Sequence, residues 1–195
     1  MTDLRKSAPV VLILLLAGCV GFSLAKGGQR LNLGQGMSVQ PAEDWNRWAV
    51  GKYEYWTLDG LNLQHILIVN GAEDGDRLTP SSLIGHRDDP KEAFPRFRKG
   101  MSLLEVRELY EATLAREKAQ KVVVTEFAPA KFAGREGFRF SFTFQNEAGL
   151  DLLGTATGAI IKDRLYMLVY RGTKLYFYDR HKRAFEQILS SVKIS

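Results

Sequence analysis

A chain of 195 residues with 45% hydrophobic and 25% charged content has the size and balance of one ordinary globular domain, with a core large enough to stand alone. Its single cysteine excludes an intramolecular disulfide, so packing and hydrogen bonding must hold the fold even in an oxidising compartment. The 27 Lys and Arg against 22 Asp and Glu give +5, and that charge is spread along the chain rather than gathered in one block, which argues against a dedicated nucleic-acid binder.

The amino terminus has the three parts of a secretory leader: Arg5 and Lys6, an apolar run over residues 10–16, and the small residues Ala17 and Gly18 before Cys19. The stretch Leu16, Ala17, Gly18, Cys19 resembles the lipobox of bacterial lipoproteins. That resemblance implies that Leu16, Ala17 and Gly18 are recognised by a signal peptidase, that residues 1–18 are removed, and that Cys19 becomes a lipidated amino terminus carrying acyl chains such as palmitate. Removal takes away Asp3, Arg5 and Lys6, so the charge falls by one, to +4. Val20, rather than Asp, follows the cysteine, which by the same resemblance implies an outer-membrane address facing the periplasm in a cell with two membranes. A rival reading is an uncleaved membrane helix over residues 7–25, whose 19 uncharged positions would span about 28 Å. Pro9, Gly18, Gly21 and Ser23 weaken that helix.

Residues 19–30 then read as a lipidated tether, and residues 31–195 as a single globular domain. "LNLGQGMSVQPAEDW" alternates and meets Pro41, the pattern of a first strand ending in a turn. In "KYEYWTLDGLNLQHILIV", Asp59 and Gly60 separate two aromatic and aliphatic runs, which predicts an antiparallel hairpin. Residues 71–100 show neither helical nor strand period and hold three prolines and four glycines, so a long connection is expected there, a feature often functional. Ser102 and Glu105 form the pattern of a capping box, starting a helix to about residue 118 with Leu103, Val106, Tyr110 and Leu114 on its inner stripe. "KVVVTEF" returns to strand character.

In "GFRFSFTFQNEAG", Phe138, Phe140, Phe142 and Phe144 project to one side and Arg139, Ser141, Thr143 and Gln145 to the other. A strand packing its apolar side on a helix is expected; the sharper alternative is a hydrophobic ligand groove. Two more strands, over residues 150–161 and 165–170, are joined through Lys162, Asp163 and Arg164. A closing helix is capped by Asp179 and presents Phe185, Ile188, Leu189 and Val192. Consecutive antiparallel strands with helices in the middle and at the end predict an α+β fold, an antiparallel β-sheet flanked by helices. The pieces "MSVQPAEDW", "YWTLDGLNL", "FAPAKFAGREGFRF", "DRLYMLVY" and "FEQILSSV" resemble, in order, the PsbP-like α/β/α sandwich shared by photosystem extrinsic proteins and by small bacterial envelope lipoproteins of the DcrB type. The resemblance implies a fold and an envelope setting; no cluster matches a manganese or photosystem site.

Sequence motifs for chemistry are missing: there is no Gly-x-Ser-x-Gly elbow, no His-Glu-x-x-His and no phosphate loop. His65, His86 and His181 are expected in a strand, a loop and a helix start, so no metal or cofactor is expected. Glu73, Asp74 and Asp76, and the pair Asp88 and Asp89, read as solvated turn acids without the spacing of a calcium loop. Arg180, His181, Lys182 and Arg183 crowd the expected first turn of the closing helix, where cations oppose the macrodipole; that placement makes Arg180, Lys182 and Arg183 candidates for contact with an anionic surface. The function expected is a non-catalytic binding or assembly module, tied to the membrane through lipid on Cys19 and meeting an envelope protein, a glycan or anionic lipid. An enzyme whose site assembles from distant loops is the alternative.

Overall fold

The computed structural model describes residues 21–80 and 94–195. Eight strands form one wholly antiparallel sheet in the order β1-β4-β5-β6-β10-β9-β8-β7: β1 (Ser23–Ala25), β4 (Trp45–Val50), β5 (Tyr53–Thr57), β6 (Gln64–Ala72), β7 (Gln120–Phe132), β8 (Arg135–Gln145), β9 (Asp151–Ile161) and β10 (Arg164–Thr173). Helix α1 (Leu103–Arg116) covers one face; helix α2 (Phe177–Ser190) and a small sheet of β2 (Leu31–Gly34), β3 (Met37–Val39) and β11 (Lys193–Ile194) cover the other. The architecture is the predicted α+β sandwich.

The central strands are buried on both sides, so their alternation shows in the partition of side chains rather than in exposure. Along β6, Leu67 and Val69 join the α1 core while Ile66 and Ile68 join the α2 core. Along β10, Leu165, Met167 and Val169 face α1, and Tyr166, Leu168 and Tyr170 face α2. The predicted hairpin is present, with β5 antiparallel to β6 across Asp59 and Gly60. Lys162 and Asp163, both at positive φ (51° and 62°), make the two-residue turn that joins β9 to β10 with the twist a tight hairpin needs.

All four phenylalanines of β8 are buried, with Phe138, Phe140 and Phe142 at 0 to 1% exposure and Phe144 at 7%. Tyr110 of α1 meets Phe142 edge-on with ring centres 5.1 Å apart, so the apolar side of β8 is core and the ligand-groove alternative fails. The helix itself starts as expected: the Ser102 hydroxyl accepts from the Glu105 amide, and the Glu105 carboxylate accepts from the Ser102 amide. The Ser102 amide, and after it the Ser102 hydroxyl, hold the Glu105 carboxyl below its usual range.

Three expectations are corrected. The segment taken as tether contributes β1, which pairs with β4 and buries Ala25 completely, because an edge position needs only a three-residue partner for the exposed side of β4. The first expected strand is instead the β2–β3 hairpin of the small sheet, turned by Gln35 and Gly36 at positive φ (46° and 77°). Asp179 is not the cap of α2: the helix begins at Phe177, its N-cap Tyr176 makes no side-chain capping bond, and Asp179 lies inside the first turn.

Candidate functional site

At one end of the α1 face, side chains from β5, β6, β10, the end of α1 and the β8–β9 turn surround a cleft of about 400 Å³. Arg171 forms its charged wall. The alternation of β10 carries Leu165, Met167 and Val169 into the α1 core, and Arg171 follows in the same register, directly across from His65 on β6. Arg171 is 7% exposed, lies against the rings of Tyr110 and Phe144 at 5.5 and 5.7 Å, and donates from Nε to the Tyr110 hydroxyl (2.8 Å) and from Nη1 to Glu117 Oε2 (2.9 Å). Burial works against its charge, but the neighbouring Glu117, with the Tyr110 and Tyr55 hydroxyls, holds its pKa above the ordinary arginine range. Burial likewise drives Tyr110 and Tyr55 above the ordinary tyrosine value, so all three keep their neutral-pH protonation states.

His65 is oriented by its Nδ1, 2.7 Å from the Leu61 carbonyl. A carbonyl only accepts, so Nδ1 carries a proton and Nε2 of the neutral ring is an acceptor. Burial, reinforced by the Arg171 charge, pushes the His65 pKa down to about 3 against the opposing pull of the Leu61 hydrogen bond. His65 is therefore neutral at physiological pH.

Three polar atoms of this cleft are shielded from solvent and lack a hydrogen-bond partner among the described residues: His65 Nε2, Thr79 Oγ1 and Arg171 Nη2. Buried polar groups in folded proteins are nearly always paired, and an unmade bond costs about 1 to 3 kcal/mol each. The other unpartnered atoms, in Trp45, Gln64, Asn70 and Thr157, are dispersed along β4, β6 and β9. A wider hollow of about 540 Å³ beside Arg96, Arg98 and Glu105 contains no such atom, which makes the Arg171 cleft the better candidate.

The residues singled out from sequence fall elsewhere. Leu16, Ala17, Gly18 and Cys19, with His86, Asp88 and Asp89, lie outside the described residues. Arg180, Lys182 and Arg183 are exposed on α2, with the Arg180 guanidinium 5.2 Å from the Tyr176 ring centre and the Lys182 ammonium 5.4 Å from that of Tyr178. Because α2 begins at Phe177, Lys182 and Arg183 stand in its second turn, beyond the first-turn reach of the macrodipole; the crowding expected there is a crowding of Arg180 alone. His181 is buried and binds Asp59 through Nε2 at 2.5 Å, on the sheet face opposite His65. Among the described residues no group of three or more His, Cys, Asp or Glu is placed to hold a metal ion, and no helix is long and apolar enough to cross a membrane.

Sequence reasoning passed over Arg171, Thr79 and Glu117. For Arg171 a signal existed: in "RLYMLVYRGT" the arginine occupies an inward position of an otherwise apolar alternation.

The fold is PsbP-like. Over 97% of this chain and 98% of the other, the structure is similar to the solution structure of cyanobacterial PsbP (CyanoP) from Synechocystis sp. PCC 6803, with a TM-score of 0.54 at 11% identity. Weaker similarity extends to a crystal structure from Bacteroides thetaiotaomicron VPI-5482 (TM-score 0.47, 13% identity, 86% of this chain and 48% of that one). It extends also to LpqN of Mycobacterium tuberculosis, described as involved in cell envelope biogenesis (TM-score 0.39, 8% identity, 89% of this chain and 91% of that one). No family model and no curated protein matches the sequence.

Proposed function

We propose that this chain is a lipid-anchored lipoprotein of the bacterial cell envelope whose domain is a non-catalytic binding module, with the Arg171 cleft as its binding site. The observation that carries the binding role is the gathering of His65 Nε2, Thr79 Oγ1 and Arg171 Nη2, unpartnered, in one cleft. Two features support binding over catalysis. A histidine held neutral down to about 3 is a poor proton donor or acceptor near neutral pH, and the cleft carboxylate of Glu117 is already bonded to Arg171. The anchor rests on the leader and on Cys19, and it places the domain beside a membrane, at the outer membrane facing the periplasm in a two-membrane cell. Exposed Arg180, Lys182 and Arg183, next to Leu175 and Tyr176 at 97% and 55% exposure, then meet anionic headgroups.

Two measurements test this reading. Intact mass of the protein from the membrane fraction should show loss of residues 1–18 and an acyl increment, both abolished in Cys19→Ala; an unmodified cysteine on an uncleaved chain would refute the anchor. A thermal-shift screen against small neutral, anionic and cationic molecules should find a compound that raises the unfolding midpoint by several degrees at saturating concentration, since a ligand at about 100 times its Kd adds about 2.7 kcal/mol. A flat response across the whole screen would refute the binding role of the cleft.

A further inference from the structure

The donor and acceptor pattern of the cleft narrows the ligand, on the reading that the cleft is a binding site. Arg171 Nη2 offers N–H donors and positive charge, so it calls for an acceptor oxygen, best an anionic one. His65 is the opposite. Its Nδ1 proton is committed to the Leu61 carbonyl, which leaves Nε2 a bare lone pair that only a donor can satisfy. Thr79, 2% exposed, can donate or accept. His65 and Arg171 are directly paired across β6 and β10, so the two opposite demands sit side by side.

A simple carboxylate or a sulfate has no hydrogen to give His65, and a cation is repelled by the net positive charge of the cleft. A plain sugar can meet both groups with hydroxyls but leaves unanswered the surplus positive charge of the cleft, where Arg116, Lys118 and Arg171 stand against Glu117 and Glu147. The local charge favours an anion as well: Arg171 is bonded to Glu117 and Lys118 to Glu147, while Arg116 at the same cleft has no partner among the described residues. About 400 Å³ accommodates a molecule the size of a hydroxy acid or one sugar-acid ring. We infer that the cleft binds a hydroxylated carboxylate, its carboxylate on Arg171 Nη2 and an adjacent hydroxyl donating to His65 Nε2, with Thr79 bonding a further oxygen. Free hydroxy acids and the uronic-acid units of glycans share this chemistry.

The test is titration of the full chain, in detergent, with D-glucuronate and separately with lactate, while the His65 imidazole nitrogen signals are followed by NMR. Acetate, sulfate and glucose serve as comparisons. The expected result is saturable perturbation of the His65 Nε2 signal by glucuronate or lactate, at a Kd at least ten-fold below those of all three comparisons. Preference for glucuronate identifies a uronic-acid source and preference for lactate a small free acid. Thr79→Val keeps the shape of the side chain, and His65→Asn keeps a donor for the Leu61 carbonyl. Thr79→Val, which removes an unpaired hydroxyl, should keep or raise the unliganded melting temperature, His65→Asn should keep a single cooperative melt, and both should weaken binding ten-fold or more, read for the histidine variant by calorimetry. Glucose, acetate or sulfate binding as tightly as the hydroxy acids would overturn the ligand class while leaving a binding cleft. Binding unchanged in both variants would overturn the site. Silence of His65 toward every compound here, together with a flat thermal response across the broad screen, would overturn the binding reading itself and indicate that water alone fills the cleft.

Discussion

On the α2 face of the large sheet, several polar groups that enter the core find partners, and the atoms left unpartnered there, in Trp45, Gln64, Asn70 and Thr157, are scattered along three strands. The Tyr170 hydroxyl donates to the carbonyls of Phe177 and Tyr178, Thr155 and Tyr178 bond through their hydroxyls at 2.7 Å, and His181 binds Asp59. On the α1 face the phenylalanine ladder of β8 is closed by α1, but where the ladder stops the same face opens on Arg171, His65 and Thr79 with bonds unmade. The two faces share strands and differ in what ends them. Single unmade bonds scattered through a packed face define no common site, whereas three gathered around one open cleft mark where a ligand contributes what the chain does not.

The largest effect expected from breaking this contrast is in the ladder. Phe140 is fully buried against Phe138, Phe142 and Tyr110, so Phe140→Ala should lower stability by about 3 to 5 kcal/mol. Thr143, exposed on the other side of β8, should change it by less than about 0.5 kcal/mol when replaced by Ala. Urea unfolding of both variants decides the point; similar small values for both would mean that the face is not closed as described.

A smaller effect comes from the other side of the same contact. Gly154 of β9 lies opposite Phe142 in register, and a Cβ at that position would fall 2.1 Å from Phe142 Cζ. Gly154→Ala must displace the ring, at about 1 to 3 kcal/mol by the usual cost of overpacking. If Phe142→Leu relieved part of the penalty in the double variant, the cycle would locate the strain in this pair.

These contacts also divide what was legible in the chain from what was not. Alternation of period two placed the four phenylalanines inward, and a hydroxyl three residues before a carboxylate marked the start of α1, because both signals are local. The start of α2 was less readable. Tyr176 offers no capping side chain, so the only local capping candidate was Asp179, three residues too late, and the basic residues were moved with it into the first turn. The cleft was unreadable for another reason: Thr79, Tyr110, Glu117 and Arg171 are brought together by pairing β10 with β6 and laying α1 across them, a convergence that no linear spacing encodes. Only the inward arginine of β10 betrayed the site locally.

The cleft should reveal itself in the acid dependence of stability. With the folded pKa of His65 lowered from 6.5 to about 3, the unfolded chain takes up a proton near pH 6.5 that the folded protein refuses until about pH 3. Stability due to neutral His65 is therefore complete above about pH 7 and is lost progressively as pH falls through 6.5 toward 3. Between pH 7 and 5.5 the wild type should lose about 1 kcal/mol more than His65→Asn, at about 1.4 kcal/mol per proton per pH unit. Equal losses from urea melts at the two pH values would show that the His65 ring is not held neutral.

The smallest stability effect is expected on α2, where the two functions of a charged residue separate. With only Arg180 near the first turn, and with Arg180 and Lys182 lying over the rings of Tyr176 and Tyr178, replacing Arg180, Lys182 and Arg183 together by Gln trades a slight relief of the macrodipole against two exposed cation–π contacts. The net change should stay within about 0.5 kcal/mol. Binding to a surface follows different physics, because three charges act additively on an anionic bilayer at about 1 kcal/mol each near the surface and are screened by salt. The fragment for this test is residues 21–195, since starting at Lys26 would delete β1 and uncover the edge of β4. Flotation with anionic vesicles at low salt should carry the wild-type fragment upward and leave the triple variant behind, while neutral vesicles carry neither. Unchanged flotation of the triple variant, with stability also unchanged, would reduce the cluster to an ordinary solvated face and leave the lipid on Cys19 as the whole of the proposed membrane contact.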